Sequence, residues 1–473
     1  LHFQQVSVKI ARTAEPRHFS ERTMYRYLLV LIAGFAFLTT ASADTWKAGF
    51  AKVAITPKTL MWMSGYGSRT APAEGKETEL WAKAIVLHDA AGAASIMVTL
   101  DLVGIDRTLS QTICKGIQEK YKLSREAVVL SVSHTHCGPV VGTNLRSMYF
   151  YDDAQDALVA EYTKALPGIL LALVESATAK LAPATIAWGT GQANFAVNRR
   201  ENKELDVPAL REKGPLKGPI DHDVPVLAVR DSNGALQGVV FGYACHATTL
   251  SFQKWCGDYP GFAMQGIEDA NPGAVAMFFA GCGADQNPIP RRTVAQARQY
   301  GNELAVAVGK VLAAPMAPLK PILHRQYEEI ALPLHAIPSR EQLVKDSTAA
   351  DKYIASRGKM LLKALEKEGE LPKTYPYPVQ IWKFGGELNL IVLGGEVVVD
   401  YSLRFKKELP AGKTWVMGYA NDVMAYIPSA RVLKEGGYEG ATSMIYYGMP
   451  SVWASSVEEQ IVAEVQRQAK RAK

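Results

Sequence analysis

Three histidines stand where imidazoles can do chemistry. His134 and His136 lie in Ser133-His134-Thr135-His136-Cys137-Gly138-Pro139, and His246 in Ala244-Cys245-His246-Ala247-Thr248-Thr249. Strand side chains repeat every two residues, so an H-x-H at a strand end sets both rings on one face. The Gly-Pro that follows turns the chain away and leaves the pair at a sheet edge. Alone, such a pair reads more readily as turn or core histidines. Its company argues for more. His246 also follows a buried apolar run, and the turn Gly257-Asp258-Tyr259-Pro260-Gly261 comes next. Phe278-Phe279 runs into the small-residue loop Ala280-Gly281-Cys282-Gly283-Ala284-Asp285-Gln286-Asn287-Pro288, and Leu393-Gly394-Gly395 delivers a carboxylate, Glu396. Ligands and catalysts gather on loops beyond strand ends in open α/β sheets. His2, His18, His88, His222 and His324 fall in the front segment or in isolated positions, and His335 reads as an ordinary surface histidine.

The elements that must hold these loops are legible as apolar runs. Ala84–His88, Ser95–Val103, Ala127–Val132, Thr185–Gly189, Val224–Val229, Gly238–Tyr243, Ala274–Phe279 and Leu388–Leu393 read as strands, several of them buried on both faces. Helical patterns at Thr108–Tyr121, Asp153–Lys180, Pro260–Asn271 and Thr293–Ala314 alternate with them. That alternation predicts an α/β fold of layered mixed β-sheets flanked by helices. Glu341–Glu370 is charged and helix-favouring, a solvated excursion near residues 341–370 whose first helix Ser339 would cap. Val379–Phe384 and Glu387–Leu393 read as a hairpin about Gly385-Gly386. Val452–Lys473 reads as a packed amphipathic helix.

The 473 residues, 48% hydrophobic and 21% charged, have a mean hydropathy of −0.03. These values exclude a disordered, collagen-like or multi-spanning membrane chain. The net charge is +6, half of it carried by the first 43 residues, too little for a nucleic-acid footprint. Leu28–Leu38 is apolar but too short to span a bilayer comfortably; it follows Met24-Tyr25-Arg26 and ends in Ala41-Ser42-Ala43. Residues 1–43 are therefore expected to be an upstream extension and signal peptide, with Asp44 the first mature residue and 44–473 a single catalytic domain. The expected location is periplasmic or secreted, with no stable membrane span once the signal is removed. An N-terminal anchor helix is the alternative. The five cysteines have no zinc-finger spacing and make no disulfide framework. One bridge is open to them, with Cys245 and Cys256 the nearest pair in sequence.

Taken together, the motifs resemble the neutral (non-lysosomal) ceramidase family. The resemblance rests on Gly49–Pro57, Met63-Ser64-Gly65-Tyr66-Gly67, Trp81–Ala84, the H-T-H-x-G-P block from His134 to Pro139, Asn198-Arg199, Tyr419-Ala420-Asn421, Tyr426-Ile427 and Tyr438–Ser443. It implies a ceramidase N-terminal-domain-like fold and a zinc amidase with ligands at His134, His246, Glu396 and Tyr426. Two neutral imidazoles and a carboxylate agree with the His₂Glu set of catalytic zinc sites; a tyrosine oxygen is an unusual addition. The resemblance also assigns supporting roles to His136, Arg199 and Tyr438, groups able to stabilise an oxyanion or protonate a leaving amine. Two departures follow. Asn287 falls where the family carries a serine, which favours attack by zinc-activated water over a covalent route. The family's C-terminal immunoglobulin-like domain has no counterpart in the sequence. The expected substrate is a small-molecule N-acyl or lipid-like compound, with small or polar amides favoured over long-chain ceramide. Two rivals remain: a non-catalytic secreted zinc-containing binding protein of the same fold, and a cysteine nucleophile at Cys137, Cys245 or Cys282. The apolar flanks of those cysteines make buried structural thiols the default.

Overall fold

Alternating apolar positions build two sheets, each with one face for the other sheet and one for helices. A computed structural model describes residues 45–410 and 413–472. Leu28–Leu38, Ala41-Ser42-Ala43 and Asp44 lie outside the described residues. The large sheet contains β1 (Trp46–Ala54), β2 (Trp81–His88), β3 (Ala94–Leu100), β4 (Val128–Val132), β5 (Ala182–Gln192), β6 (Asp223–Asp231), β7 (Leu236–Tyr243) and β8 (Val275–Ala280). Its order is β8-β7-β6-β5-β1-β2-β3-β4. The outer pairs β3/β4 and β7/β8 are parallel and the rest antiparallel, so the sheet is mixed. The second sheet runs β9 (Leu323–Pro333), β10 (Thr374–Phe384), β11 (Leu388–Leu393) and β12 (Thr414–Met417), with only β11/β12 parallel.

The period of two sorts each strand's side chains. Ile85, Leu87, Met97 and Val240 meet Trp382, Phe384, Leu390 and Trp415 in a core between the sheets. Ala84, Val86, Val98 and Phe241 face the opposite way, onto the helices Arg107–Tyr121 (α1), Asp153–Thr178 (α2), Asp258–Ala270 (α3) and Val294–Ala313 (α4). The outer face of the second sheet packs on Val399–Glu408 and Val457–Arg471, through Tyr401, Phe405, Ile461 and Val465. The result is four layers, helix–sheet–sheet–helix. Burying each such large apolar side chain contributes about 1.5–3 kcal/mol.

Local signals account for several boundaries. Thr293 caps α4 in a full capping box with Gln296. The charged excursion is two helices, Arg340–Ser347 and Lys352–Glu368, and Ser339 caps the first by accepting from Gln342 N at 3.2 Å. The β10–β11 turn uses Gly385 and Gly386 at φ +60° and +72°. β1, β9 and β12 were not among the expected strands: β12 is only four residues long, and β9 reads Leu-His-Arg-Gln-Tyr-Glu-Glu and lacks the apolar run that marks the others.

The residues after β12 matter most for the site. β4 and β8 lie at opposite ends of the large sheet's path, yet Ser131 bridges Ala420 and Gly281 bridges Met417. Segment 417–421 therefore stitches the two ends together. Tyr419 N donates to Gly395 O at 2.9 Å, bringing the β11 loop to the same place. Loops after β4, β7, β8 and β11 meet there.

Candidate metal centre

His134 sits two residues beyond β4 with a left-handed backbone, φ +60°, which costs a non-glycine residue about 1–2 kcal/mol. Its Nδ1 lies 2.5 Å from Val103 O. His246, three residues beyond β7, holds Nδ1 2.8 Å from Gly283 O. A carbonyl only accepts, so each ring carries a proton on Nδ1 and, when neutral, turns a bare Nε2 lone pair inward. Both Nε2 atoms face Glu396 Oε2, at 3.2 Å from His134 and 3.1 Å from His246. Tyr426 Oη lies 3.3 Å from His246 Nε2. Glu396 and Tyr426 arrive side by side because Glu396–Val397 and Tyr426–Ile427 form a short parallel ladder in the register Glu396↔Tyr426. The other Glu396 oxygen, Oε1, accepts from Tyr447 Oη at 2.5 Å.

The cluster is buried: His134, His246 and Glu396 are each 3% exposed or less, and Glu396 Oε2 has no hydrogen-bond partner among the described residues. Burial, then the nearby Arg199 charge, pushes His246 down to about 4, so it is neutral at physiological pH. Burial pushes Glu396 up; only positive charge at His134 and His246, from a proton or a shared cation, holds the carboxyl well below the usual range. Lone pairs facing a buried carboxylate oxygen at these distances repel unless a cation lies among them. The donors fit one. Two imidazole nitrogens, a carboxylate and a phenol suit a zinc-like transition metal better than calcium or magnesium, which take all-oxygen shells.

His136 joins the group by a route other than strand alternation. Residues 133–137 are off the strand, and the left-handed turn at His134 brings the two Nε2 atoms to 3.1 Å. The ligating atoms of His134, His136 and His246 all lie within 4.8 Å of one another. His136 packs on Tyr66, ring centroids 4.8 Å apart, and beneath Gly65. A Cβ on Gly65 would come within 2.5 Å of His136 Nδ1, and its φ of +97° also demands glycine. That Nδ1 is buried without a partner, and burial with the neighbouring imidazoles holds His136 well below its usual pKa.

Arg199 enters where 196–198 pairs with 286–288, its N donating to Asp285 O at 2.8 Å. Its guanidinium donates to Tyr426 Oη at 3.1 Å, Asn287 Oδ1 at 3.2 Å and Glu439 Oε1 at 2.8 Å. Burial opposes the Arg199 charge, but Tyr426 and Glu439 outweigh it and hold the pKa well above the usual range. Tyr438, 39% exposed, leans on Tyr426 with centroids 5.3 Å apart. These side chains, His136 and His246 line a cavity of about 620 Å³.

All eight residues singled out from the sequence thus come together: His134, His246, Glu396, Tyr426, His136, Arg199, Tyr438 and Asn287. Sequence reasoning missed the contribution of Tyr447 to Glu396, of Glu439 to Arg199 and of Tyr66 to His136. The second tyrosine of Ile445-Tyr446-Tyr447-Gly448 carries no spacing signal. The carbonyls of Val103 and Gly283 carry none at all. The Cys245–Cys256 bridge is not made: all five cysteines are free and buried. Burial pushes the thiols of Cys137, Cys245 and Cys282 well above their usual pKa, the opposite of an activated nucleophile.

A family profile described as neutral/alkaline non-lysosomal ceramidase, N-terminal, matches residues 46–283. The neutral ceramidase of Pseudomonas aeruginosa is 28% identical over 244 residues, covering 49% of this chain and 34% of that protein. The neutral ceramidase of Drosophila melanogaster is 26% identical over 220 residues, 46% of this chain and 31% of that protein. The match thus spans about a third of the length of these curated relatives. The crystal structure of neutral ceramidase from P. aeruginosa superposes with a TM-score of 0.66 at 20% identity, covering 91% of this chain and 74% of that one. A structure described as ceramidase complexed with C2 gives 0.67 at 18% identity, over 90% and 75%. At such identities the structural likeness is one of fold. His134, His136, Arg199 and His246 fall inside the profile match; Glu396, Tyr426 and Tyr438 lie beyond it.

Proposed function

The chain belongs to the neutral/alkaline non-lysosomal ceramidase family, and we propose that it hydrolyses an amide (N-acyl) bond using zinc held by His134, His246, Glu396 and Tyr426. The observation that carries this reading is the meeting of two imidazole Nε2 atoms, each pinned through Nδ1 by a carbonyl, on one buried and unpartnered carboxylate oxygen. When bound, zinc supplies a Lewis acid that polarises the acyl carbonyl and brings the pKa of water towards about 7.

The chain's own residues do the rest. Val103 and Gly283 fix the tautomers of His134 and His246. Tyr447 holds Glu396 Oε1, so that Oε2 is the oxygen offered to the metal. Arg199, permanently protonated, supplies a fixed positive charge beside Tyr426 Oη where an oxyanion would develop. His136 is neutral, its Nδ1 free of any partner, and takes the role of proton carrier between water and the leaving amine. Tyr438 on the cavity wall orients the amide and can donate its phenolic proton. Asn287 cannot be acylated; it accepts from Arg199 and Thr248 and positions the guanidinium. The Leu28–Leu38 segment and Ala41-Ser42-Ala43 support export to the periplasm or beyond.

Elemental analysis tests the reading. Protein purified without chelators is expected to carry about one zinc per chain. His134→Ala and Glu396→Ala are expected to lose it while keeping the wild-type circular dichroism, and His136→Ala to retain it. Absence of any transition metal from the wild type would overturn the zinc assignment. Zinc-loaded protein inert towards every N-acyl amide would favour the binding-protein reading.

A further inference from the structure

The cavity above the His134–His246–Glu396 cluster has more positive charge than amide hydrolysis requires. Beyond Arg199, the cations Arg200, Lys203 and Arg291 line it, against the carboxylates Glu204 and Glu439. Each carboxylate is shared between guanidiniums. Glu439 accepts from Arg199 at 2.8 Å and from Arg200 at 2.7 Å; Glu204 pairs at two points with Arg291 and lies 3.8 Å from Arg292. Glu435 takes one further Arg200 nitrogen at 2.8 Å. Even so, Arg200 Nε is buried without an acceptor, on a side chain only 10% exposed. Lys203 is exposed and makes no ion pair among the described residues. The wall formed by Arg200, Lys203, Glu204 and Arg291 therefore keeps a surplus of positive charge, with the exposed Lys203 ammonium free to meet a ligand. An apolar ligand lying on this wall would strip those cations of water and return nothing. An oxyacid anion would return charge-assisted hydrogen bonds, and the guanidinium fork matches its geometry.

We propose that the molecule this cavity accepts is an N-acyl compound bearing an anionic oxyacid group, a carboxylate or sulfonate, held against Arg200, Lys203 and Arg291 while its amide lies at the His134–His246–Glu396 cluster. The inference rests on the hydrolase reading for the fate of the molecule, but the recognition it describes is a binding property.

Calorimetry on the zinc-loaded full chain separates the two. The probes are N-hexanoylglycine, N-hexanoyltaurine and the neutral N-hexanoylglycinamide, matched in acyl length. At least one anionic probe is expected to bind about tenfold or more tighter than the neutral one. That preference should shrink as salt rises from about 0.05 to 0.5 M, where screening shortens the reach of exposed charges. Lys203→Glu and Arg291→Gln should each reduce it several-fold. Equal affinities, no measurable binding of any probe, or a preference untouched by both variants (the anion then sitting on the metal) would overturn the proposal. Tight anion binding without turnover keeps it and sinks the hydrolase reading instead. Turnover of the neutral amide with no anion preference does the reverse.

Discussion

At the scale of single residues, the proposed function separates groups that would hold the metal from groups that would work beside it. His136 touches His134 through Nε2, but its Nδ1 is free of any partner. A proton carrier in that position should cost about 10²–10⁴ in kcat on His136→Ala, with zinc content unchanged. Asn287→Ala removes one acceptor from Arg199 and one from Thr248. A lost hydrogen bond of about 1–3 kcal/mol corresponds to a drop of roughly 10- to 100-fold in kcat, smaller than that for His136. Trapping a covalent acyl-enzyme would refute this order. Tyr447→Phe is a third probe, because the phenol touches only the oxygen of Glu396 turned away from the imidazoles. Partners of metal-ligating groups typically contribute 10- to 100-fold in metal affinity. Chelator competition should register a loss of about that size, and an unchanged zinc affinity would reduce Tyr447 to packing. None of this was legible for Tyr447, whereas His134 and Glu396 could be found because each follows an apolar run that must end at a sheet edge.

At the scale of elements, long runs that are apolar throughout were readable, whereas the four-residue β12 and strands that alternate with charge were not. Ala127–Val132 and Leu388–Leu393 lie between layers, so burial on both faces wrote them as uninterrupted hydrophobic stretches. β9, at the sheet's edge, is buried only at Leu323 and Leu332 and carries His324, Arg325, Glu328 and Glu329 on both faces. Its pairing with β10 is a tertiary fact that the local pattern does not encode. The same holds for segment 417–421, whose left-handed Tyr419 and Asn421 join strands distant in sequence. Asp422 follows directly, accepting from Tyr375 at 2.6 Å while its Oδ1 has no partner. Burial raises its pKa from 3.8 to about 7, against the opposing pull of Tyr375 and Arg107. The folded state thus binds this proton more tightly than the unfolded chain does. The associated stability is complete below about pH 4 and is lost as pH rises through about 7. Asp422→Asn should retain the Tyr375 bond and remove that loss. Its melting temperature should gain on the wild type between pH 5 and pH 8, by an amount on the order of 1–3 kcal/mol in stability. Parallel melting curves for the two proteins across that range would show that Asp422 is ionised throughout.

At the scale of the whole molecule, the question is what size of substrate the four layers leave room for. The cavity over the His134–His246–Glu396 cluster holds about 620 Å³, within the usual range for small-molecule sites, and charged side chains make up much of its wall. A second cavity of about 320 Å³, between 54–61 and α2, is more apolar but shares no lining residue with the first. The loop beside the mouth exposes one large apolar side chain, Leu205 at 94%, set among Lys203, Glu204 and Asp206. A single leucine between charges is ordinary surface, whereas an interface-binding segment pairs clustered basic residues with a continuous apolar stripe. A long acyl chain entering this cavity would have to lie along guanidiniums and carboxylates, which gain nothing from it and lose their water. Short or polar N-acyl amines are therefore expected to be the better substrates. At equal zinc loading, their kcat/KM should exceed that for detergent-dispersed long-chain ceramide by tenfold or more, about 1.4 kcal/mol in transition-state binding. A tenfold preference in the other direction would mean that the acyl chain finds an apolar path out of the cavity that the charged wall does not block, and the activity for which the family is named would then be this chain's own.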